Sequence, residues 1–388
     1  CLHKTEVQEA HFICIQQKMP PTTFKVEPGL VDSSNPGPFI TKPTQPTEKK
    51  PGQLTKEQVD HYFEQGHLLI DDFFNIEDDL EPARDAIRDR VEALAQKLYK
   101  AGKIKKLYSD YGLFQRLTMI EKEFPGANVL LHKQQDVPQA FRDLWGNQRL
   151  LNAVEQLVGP DIAASTVWNL RTKTPKNEAT VVPWHQDSAY FDNQSYNCHV
   201  VTAWIPFLDA NEANGCMQVA RGGHKLGKVA RHECCAGPTW YVMLDDETMS
   251  KTLNVDLEND IITCPVPYGG MLLINNMIPH RSLTNVSNDI RWSVDLRWQK
   301  VGSPDCLWGI KQPLTLRTAA NPNMKPDWAA YEAEDRTEVQ TTSMGVKMDE
   351  FDTTIAGPWM KKWELVHHNE HTKAWMEQNP DNWKLENN

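Results

Sequence analysis

The first regular pattern of apolar and polar residues begins near residue 54 and predicts helices. Thr55 and Gln58 have the spacing of a helix capping box, and Gly66 can end that helix in a left-handed conformation. A short apolar run over residues 67–74 then predicts a strand. A longer amphipathic helix follows, with four apolar residues on one face: Ile87, Val91, Leu94 and Leu98. A third helix is predicted over residues 138–158.

After residue 160 the pattern changes to short β-rich runs that are separated by Gly and Asn turns. In residues 291–299, polar and apolar side chains alternate strictly, which places them on opposite faces of a strand. The polar face holds Arg291, Ser293, Asp295 and Arg297; the apolar face holds Trp292, Val294, Leu296 and Trp298. Several strands of this length predict an antiparallel barrel or jelly roll. A charged face suits a barrel wall around a polar ligand.

The composition divides the 388 residues into three parts. Residues 1–52 are rich in Pro, Thr, Ser, Lys and Gly, which predicts a disordered tail or linker. Residues 53–300 hold the helices and a β-rich core over about 160–300. Residues 301–388 predict an irregular or helical extension that packs on this core. The predicted fold class is therefore mainly β, with flanking N-terminal helices and a C-terminal extension.

Charge and hydropathy argue against two kinds of partner. The chain has 41 basic and 52 acidic residues and a net charge of −11, which argues against a nucleic-acid partner. No apolar run approaches the roughly 18 residues of a membrane span, so no membrane partner is expected. The start shows no signal peptide, which predicts an intracellular, cytoplasmic protein. Because the chain starts at Cys1, a longer N-terminus and a peroxisomal or mitochondrial location stay open, as does the oligomeric state.

The segment VVPWHQDSAYF, residues 181–191, surrounds a polar pair with aromatic residues. In a strand, His185 and Asp187 would point the same way, about 7 Å apart at the backbone. His280 follows the apolar strand 269–276 and is a candidate third ligand. Two histidines and one carboxylate on one face of an ion form the facial triad of non-heme Fe(II) oxygenases. From these residues alone, a simple hydrogen-bonded pair stays open, because such triplets are common.

Arg291 strengthens the metal-site interpretation. It lies eleven residues after His280, on the polar face of the alternating strand. A guanidinium group binds a carboxylate through two parallel hydrogen bonds. Oxygenases with a facial triad use 2-oxoglutarate, whose distal carboxylate needs such an anchor.

Three blocks of the sequence resemble the phytanoyl-CoA dioxygenase family in order and spacing: HQDSAYF, WIPFLDANEANGCMQVARGGHKLG and GGMLLINNMIPHRSLTNVSNDIR. The resemblance covers residues 54–300. It implies a double-stranded β-helix fold, which is a cupin-like jelly roll, together with Fe(II) and 2-oxoglutarate. On matching positions His185, Asp187 and His280 are the metal ligands, and Arg291 holds the distal carboxylate of 2-oxoglutarate.

The resemblance also implies further contacts to 2-oxoglutarate. Ser282 and Trp204 match family positions that line the co-substrate pocket. Lys133 is the best match to a lysine that the family contributes from its N-terminal half. Asn169 lies near another co-substrate position, in an alignment that needs a gap. The family's Pro-Gly-Ser-His is Arg-Gly-Gly-His here, and we interpret His224 as structural.

The implied reaction hydroxylates an aliphatic C–H bond and releases succinate and CO₂, with ascorbate as the expected reductant. The intact Asp187 favours hydroxylation, because related halogenases lack this carboxylate. The expected substrate is a small organic molecule or an acyl group. Basic clusters that could hold coenzyme A exist, but the acidic balance slightly favours a substrate without it.

Two other classes of protein stay open. One is a non-catalytic β-helix domain that binds a ligand without turnover; the complete set of ligands and Arg291 argues against it. The other is a zinc peptidase, because HHNEH at residues 367–371 matches an HxxEH pattern. Only 17 residues follow that motif, so a solvated helix face is the simpler interpretation.

Overall fold

The computed structural model describes residues 34–334 and 349–378. The α-helices in these ranges are α1 Gly37–Ile40, α2 Lys56–Gln65, α3 Glu81–Lys100, α4 Arg116–Glu123, α5 Ala127–Lys133, α6 Gln139–Trp145, α7 Gln148–Val158, α8 Asp246–Leu253, α9 Trp328–Ala333 and α10 Glu370–Gln378. The strands are β1 His67–Ile70, β2 Ile162–Ala164, β3 Asn169–Lys173, β4 Val200–Pro206, β5 Met217–Ala220, β6 Glu233–Cys234, β7 Val242–Met243, β8 Ile261–Cys264, β9 Met271–Asn275, β10 His280–Ser282, β11 Arg291–Lys300, β12 Leu314–Arg317 and β13 Glu364–Leu365.

The largest sheet has seven antiparallel strands, and the long strand β11 lies at its centre. The strand order is β1-β9-β4-β11-β2-β12, and β3 also pairs with β11. A second antiparallel sheet has the order β10-β5-β8. Trp204 and Leu272 of the large sheet pack with Met217 and Val219 of the smaller one, so an apolar core joins the two sheets. The predicted jelly-roll fold class is confirmed.

The N-terminal helices cover the outer face of the large sheet. The apolar residues of β11, including Trp292 and Trp298, are fully buried in one core cluster with the apolar face of α3. The polar residues of β11 point the other way, towards the barrel interior. The alternation predicted for residues 291–299 therefore separates a helix-packing face from a face that serves the site.

The predicted helix boundaries hold at α2 and differ further on. Thr55 and Gln58 form the capping box at the start of α2, and Gly66 ends the helix with a φ of 84°. The third predicted helix, 138–158, is two helices, because α6 ends before Gly146 and α7 begins after Asn147. The side chain of Asn147 accepts hydrogen bonds from the first backbone N–H groups of α7, which starts a new helix there.

Residues 34–52 differ from the predicted disordered tail. Phe39 is fully buried, and its ring packs edge-on against His199 with centroids 6.0 Å apart. The backbone N–H of Asn35 donates to the carbonyl of Gly227 at 3.1 Å. One aromatic side chain and a few backbone bonds anchor a segment whose composition is polar on average. The rest of the predicted tail, residues 1–33, lies outside the described residues.

The described residues after 300 pack on the core. Strand β12 pairs with β2 and extends the large sheet. Strand β13 pairs in parallel with β6, next to a disulfide between the adjacent residues Cys234 and Cys235. Trp359, Met360 and Trp363 are buried in a cluster with β6 and β7. No helix in the described residues is both long and apolar enough to cross a lipid bilayer.

Candidate metal centre and its two cavities

The structure brings the three predicted ligands together inside the barrel. His185 and His280 face each other as an antiparallel bridge: each backbone N–H donates to the other's carbonyl, at 3.0 Å and 2.9 Å. The Nε2 atoms of His185 and His280 lie 3.5 Å and 3.7 Å from Oδ1 of Asp187. All three side chains are buried, and their ligand atoms lie within 4.8 Å of one another.

The local backbone around Asp187 differs from the predicted strand. His185 takes part in a single bridge, and Asp187 begins a 3₁₀ helix over Asp187–Tyr190. The side chains of residues 185 and 187 nevertheless converge, because the turn brings the carboxylate back under the imidazole. The two side chains converge as predicted, but the backbone that brings them together is a turn and not a strand.

Hydrogen bonds at the far side of each ring prepare both histidines for a metal. Nδ1 of His185 lies 2.9 Å from the carbonyl of Pro183, and Nδ1 of His280 lies 3.0 Å from the carbonyl of Ile278. A carbonyl oxygen can only accept, so Nδ1 carries the proton and Nε2 keeps its lone pair. Burial and the neighbouring His185 lower the pKa of His280 to about 4. A neutral imidazole is the form that binds metal, so the residues fit an ion.

Arg297 holds the second oxygen of the Asp187 carboxylate. Its Nε and Nη2 atoms donate to Oδ2 at 3.2 Å and 3.0 Å, while Oδ1 faces the histidines. Burial opposes ionisation of Asp187, but Arg297 and the histidines outweigh it, and the pKa of Asp187 lies well below its usual range. Sequence reasoning placed Arg297 on the polar face of the strand but did not predict this contact. The strict alternation of β11 indicates only that Arg297 lies on the polar face, not which residue it contacts.

An inner cavity next to the histidines contains three predicted co-substrate residues. Arg291, Trp204 and Ser282 line it together with His185 and His280. Arg291 is 2% exposed, donates to Ser293 Oγ at 2.6 Å and to the carbonyl of Gly215 at 3.1 Å, and its Nε has no partner within the described residues. Its guanidinium lies 5.0 Å from the Trp204 ring centroid.

Lys173 lies in the same cavity, whereas the sequence offered it only as a member of a basic cluster that could hold coenzyme A. It is the cross-strand neighbour of Arg291, is 2% exposed, and donates to the carbonyl of Thr180 at 2.9 Å. Burial, with Arg291 and Arg171 nearby, lowers the pKa of Lys173 well below its usual range. Arg171, Arg291 and Arg297 line the same cavity, and this concentration of arginines in an enclosed space indicates an anionic ligand.

Lys133 and Asn169 line a different, outer cavity, which shares Arg171 and Arg297 with the inner one. The Lys133 ammonium donates to the carbonyl of Asp352 at 2.6 Å, so it contacts the C-terminal segment. The side-chain oxygen of Asn169 accepts a hydrogen bond from Arg297 Nη1 at 3.0 Å. Neither residue lines the inner cavity with Arg291.

The histidines outside this centre have other partners. His224, interpreted as structural, is fully buried with Nε2 3.0 Å from the carbonyl of Phe63. In the HHNEH motif, His367 Nδ1 lies 3.0 Å from the carbonyl of Cys235, and His371 Nε2 lies 2.5 Å from Asp352 Oδ2. The two histidines of the HxxEH pattern, His367 and His371, therefore have separate partners, which removes the support for a peptidase zinc site.

A jelly roll with two histidines and an aspartate converging in its barrel defines the cupin-like class of non-heme oxygenases. The model of the phytanoyl-CoA dioxygenase (PhyH) family matches residues 51–293, more than half of the chain. The chain belongs to this family, which is one of 2-oxoglutarate-dependent dioxygenases. The assignment made from the three sequence blocks is confirmed.

The chain is similar to proteins with different substrates. Phytanoyl-CoA dioxygenase of Arabidopsis thaliana is 22% identical over 278 residues, which cover 66% of this chain and 92% of that protein. 1-Deoxypentalenic acid 11-beta-hydroxylase of Streptomyces arenae is 26% identical over 178 residues. These residues cover 42% of this chain and 58% of that protein, so the match spans less than two thirds of that relative. Among solved structures, the non-heme monooxygenase ThoJ in its apo form matches with a TM-score of 0.47 and 16% identity, over 74% of this chain and 99% of ThoJ.

Proposed function

We propose that this protein is an Fe(II)- and 2-oxoglutarate-dependent hydroxylase that acts on an aliphatic C–H bond of a small organic or acyl substrate. The observation that carries the proposal is the convergence of His185 Nε2, His280 Nε2 and Asp187 Oδ1 beside a cavity that contains Arg291. When bound, iron and 2-oxoglutarate supply the oxidation: 2-oxoglutarate is decarboxylated to succinate and CO₂, and one oxygen atom enters the substrate.

The chain's own residues supply orientation and shelter. His185, His280 and Asp187 would hold the ion from one side, and Arg297 fixes the carboxylate through its outer oxygen. Arg291 would clamp the distal carboxylate of 2-oxoglutarate in the inner cavity. The Tyr190 ring packs edge-on to His185, with centroids 5.8 Å apart, and Trp359 packs on Tyr190 at 5.6 Å. These rings would shield one side of the site from water.

The test is succinate formation by the purified chain with Fe(II), ascorbate, O₂ and 2-oxoglutarate. We expect slow succinate release without added substrate and none without Fe(II). Asp187→Ala and His280→Ala should abolish it while circular dichroism shows a folded protein, because each removes one of three ligands. Asp89→Ala, on the exposed side of α3, is the matched control and should retain it. If wild type binds 2-oxoglutarate but forms no succinate with a broad substrate panel, the protein is a binding domain and not an enzyme.

A further inference from the structure

Asp187 lines the outer cavity, whose walls are mostly aromatic and aliphatic. The lining side chains that form these walls are Tyr190, Trp240, Tyr241, Leu307, Ile355 and Trp359. The last three belong to the segment after residue 300, beyond the 51–293 range shared with the family. The segment after residue 300 therefore supplies half of these wall residues. It suits a substrate with an apolar body.

The charges around the two cavities do not balance. Arg171, Arg291 and Arg297 line them, and the acidic residues that line them in the described part of the chain are Asp187 and Asp295. Arginine stays protonated in proteins, so these five side chains carry a net charge of +1. Lys173 is left out of this sum because burial lowers its pKa well below the usual range. Lys133 is left out because it lies beside Asp352, whose pKa is lowered in part by the charge of Lys133.

The surplus charge remains after the proposed cofactors bind. A divalent metal ion and the 2-oxoglutarate dianion cancel each other, so the sum stays at +1. Asp187 and one carboxylate of 2-oxoglutarate balance the metal, and the other carboxylate balances Arg291. Arg171 and Arg297 then share the single carboxylate of Asp295.

Arg171 is the accessible member of that group. Its Nε donates to Asp295 Oδ2 at 2.7 Å, while Arg297 Nη2 lies 3.5 Å from the same oxygen. The Arg171 side chain is 20% exposed, against 6% for Arg297. Arg171 also lines both cavities, beside Trp240 and Tyr241. An anion that enters the outer cavity can therefore reach this guanidinium.

We propose that the substrate has an apolar body and a single negatively charged group, a carboxylate, which Arg171 holds while the aromatic walls take the body. This inference rests on the proposed function, since it assumes that a metal and 2-oxoglutarate occupy the inner site. A partly buried arginine that shares its counter-ion is stabilised by a second carboxylate. A free acid supplies one charge, whereas a coenzyme A thioester brings several phosphate charges to a cavity with a surplus of one.

The experiment is calorimetric titration of the protein saturated with Mn(II), as a redox-quiet metal, and with 2-oxoglutarate. The probes are octanoate and 3-phenylpropanoate, each compared with its uncharged primary amide, and octanoyl-CoA. Saturation with 2-oxoglutarate keeps the carboxylate probes out of the inner cavity. We expect each acid to bind at least about tenfold more tightly than its amide, the effect of one charge-assisted hydrogen-bonded pair. Octanoyl-CoA should bind more weakly than octanoate.

Two variants change the net charge of the cavity lining in opposite directions. Arg171→Gln removes one positive charge and should reduce the acid-to-amide ratio to about twofold or less. Asp295→Asn removes one negative charge and should increase the ratio, which tests the idea even if Arg171→Gln does not fold. Arg88→Gln, an exposed arginine of α3 that pairs with Asp85, is the matched control and should leave the ratio unchanged.

Titration with 2-oxoglutarate, run first, separates the two proposals. If wild type with Mn(II) does not bind 2-oxoglutarate, the proposed function fails. If 2-oxoglutarate binds but acids bind no better than amides, or no acid binds, the proposed function stands and the carboxylate inference is overturned. Tighter binding of octanoyl-CoA than of octanoate also overturns it.

Discussion

At the scale of single residues, the two oxygens of Asp187 have different partners, and the site depends on both contacts. Oδ1 faces both imidazoles, and Oδ2 accepts from Arg297. The carboxylate therefore has a fixed orientation before any ion arrives, which limits the ordering that binding requires. Removing Asp187 also leaves Arg297 without its nearest carboxylate. Asp187→Ala should therefore destabilise the metal-free protein as well as abolish metal binding.

Arg291→Ala should raise the KM for 2-oxoglutarate by about 30-fold or more. Removing one partner of a buried, hydrogen-bonded charge pair costs about 2–5 kcal/mol, and about 1.4 kcal/mol corresponds to tenfold. Arg291→Lys should recover part of the affinity, because an ammonium group cannot form two parallel hydrogen bonds to one carboxylate. Steady-state succinate assays at varied 2-oxoglutarate measure both values.

The control for Arg291 is a second buried arginine outside the cavities. Arg317 is 5% exposed and pairs with Glu155 at 3.3 Å. Arg317→Ala should lower the melting temperature and leave the KM for 2-oxoglutarate unchanged. A KM for Arg291→Ala that stays close to wild type would place the anchor elsewhere in the inner cavity, with Lys173 as the next candidate.

At the scale of elements, β11 connects the two halves of the structure. Its apolar face packs against the N-terminal helices, and its polar face supplies Arg291, Asp295 and Arg297 to the cavities. A strand buried on both faces normally reads as a continuous apolar run. The charged residues on one buried face of β11 are tolerated because each has a hydrogen-bond partner or faces a ligand cavity.

The short helix α1 offers a test of packing in a segment whose composition predicts disorder. Phe39 is fully buried, whereas its neighbour Ile40 is 44% exposed. Phe39→Ala should lower the free energy of unfolding by about 3–5 kcal/mol, because it leaves a cavity that the core cannot close. Ile40→Ala, the matched control, should change it by about 0.5 kcal/mol or less. Urea unfolding measures both; equal effects would mean that α1 is not docked in solution.

At the scale of the whole molecule, several buried histidines link folding to pH. Burial lowers the pKa of His67 and His224 to about 4, and of His199 and His232 to about 3. The unfolded chain binds protons at these histidines below about pH 6.5, whereas the folded chain does not until pH 4 or below. The folded state is therefore fully stabilised above pH 6.5 and loses this stability as the pH falls towards 4.

The free energy of unfolding in the presence of a chelator should thus fall steeply between pH 6 and pH 5. One histidine contributes at most about 1.4 kcal/mol per pH unit, and we expect a steeper slope than that. His199→Phe, which keeps a ring beside Phe39, should reduce the slope because it removes one of the linked groups. Urea titrations at several pH values supply the measurement. A slope below the limit for one histidine would mean that these side chains titrate normally in the folded protein.

The sequence alone predicted the parts of this protein that depend on local spacing. Helical and strand periodicity predicts the capping box at Thr55, the apolar face of α3 and the two faces of β11. These features depend only on residues that are close together in the sequence. The jelly-roll class and the family followed from three blocks whose order and spacing are retained. His185, Asp187 and His280, which lie close together in the structure, were proposed as metal ligands in the same way, because metal chemistry restricts the residue types that can serve.

The tertiary structure decided what depends on contacts between distant segments. Arg297 meets Asp187 across 110 residues, so no local pattern could indicate that it orients the carboxylate. Lys133 binds the carbonyl of Asp352, 219 residues away, and so lines the outer cavity and not the inner one. Phe39 anchors a polar segment because its ring is buried in a core cluster formed by residues distant in the sequence. The charge surplus at Arg171 likewise exists because folding gathers side chains from separate strands into one enclosed space, where each charge must find a partner.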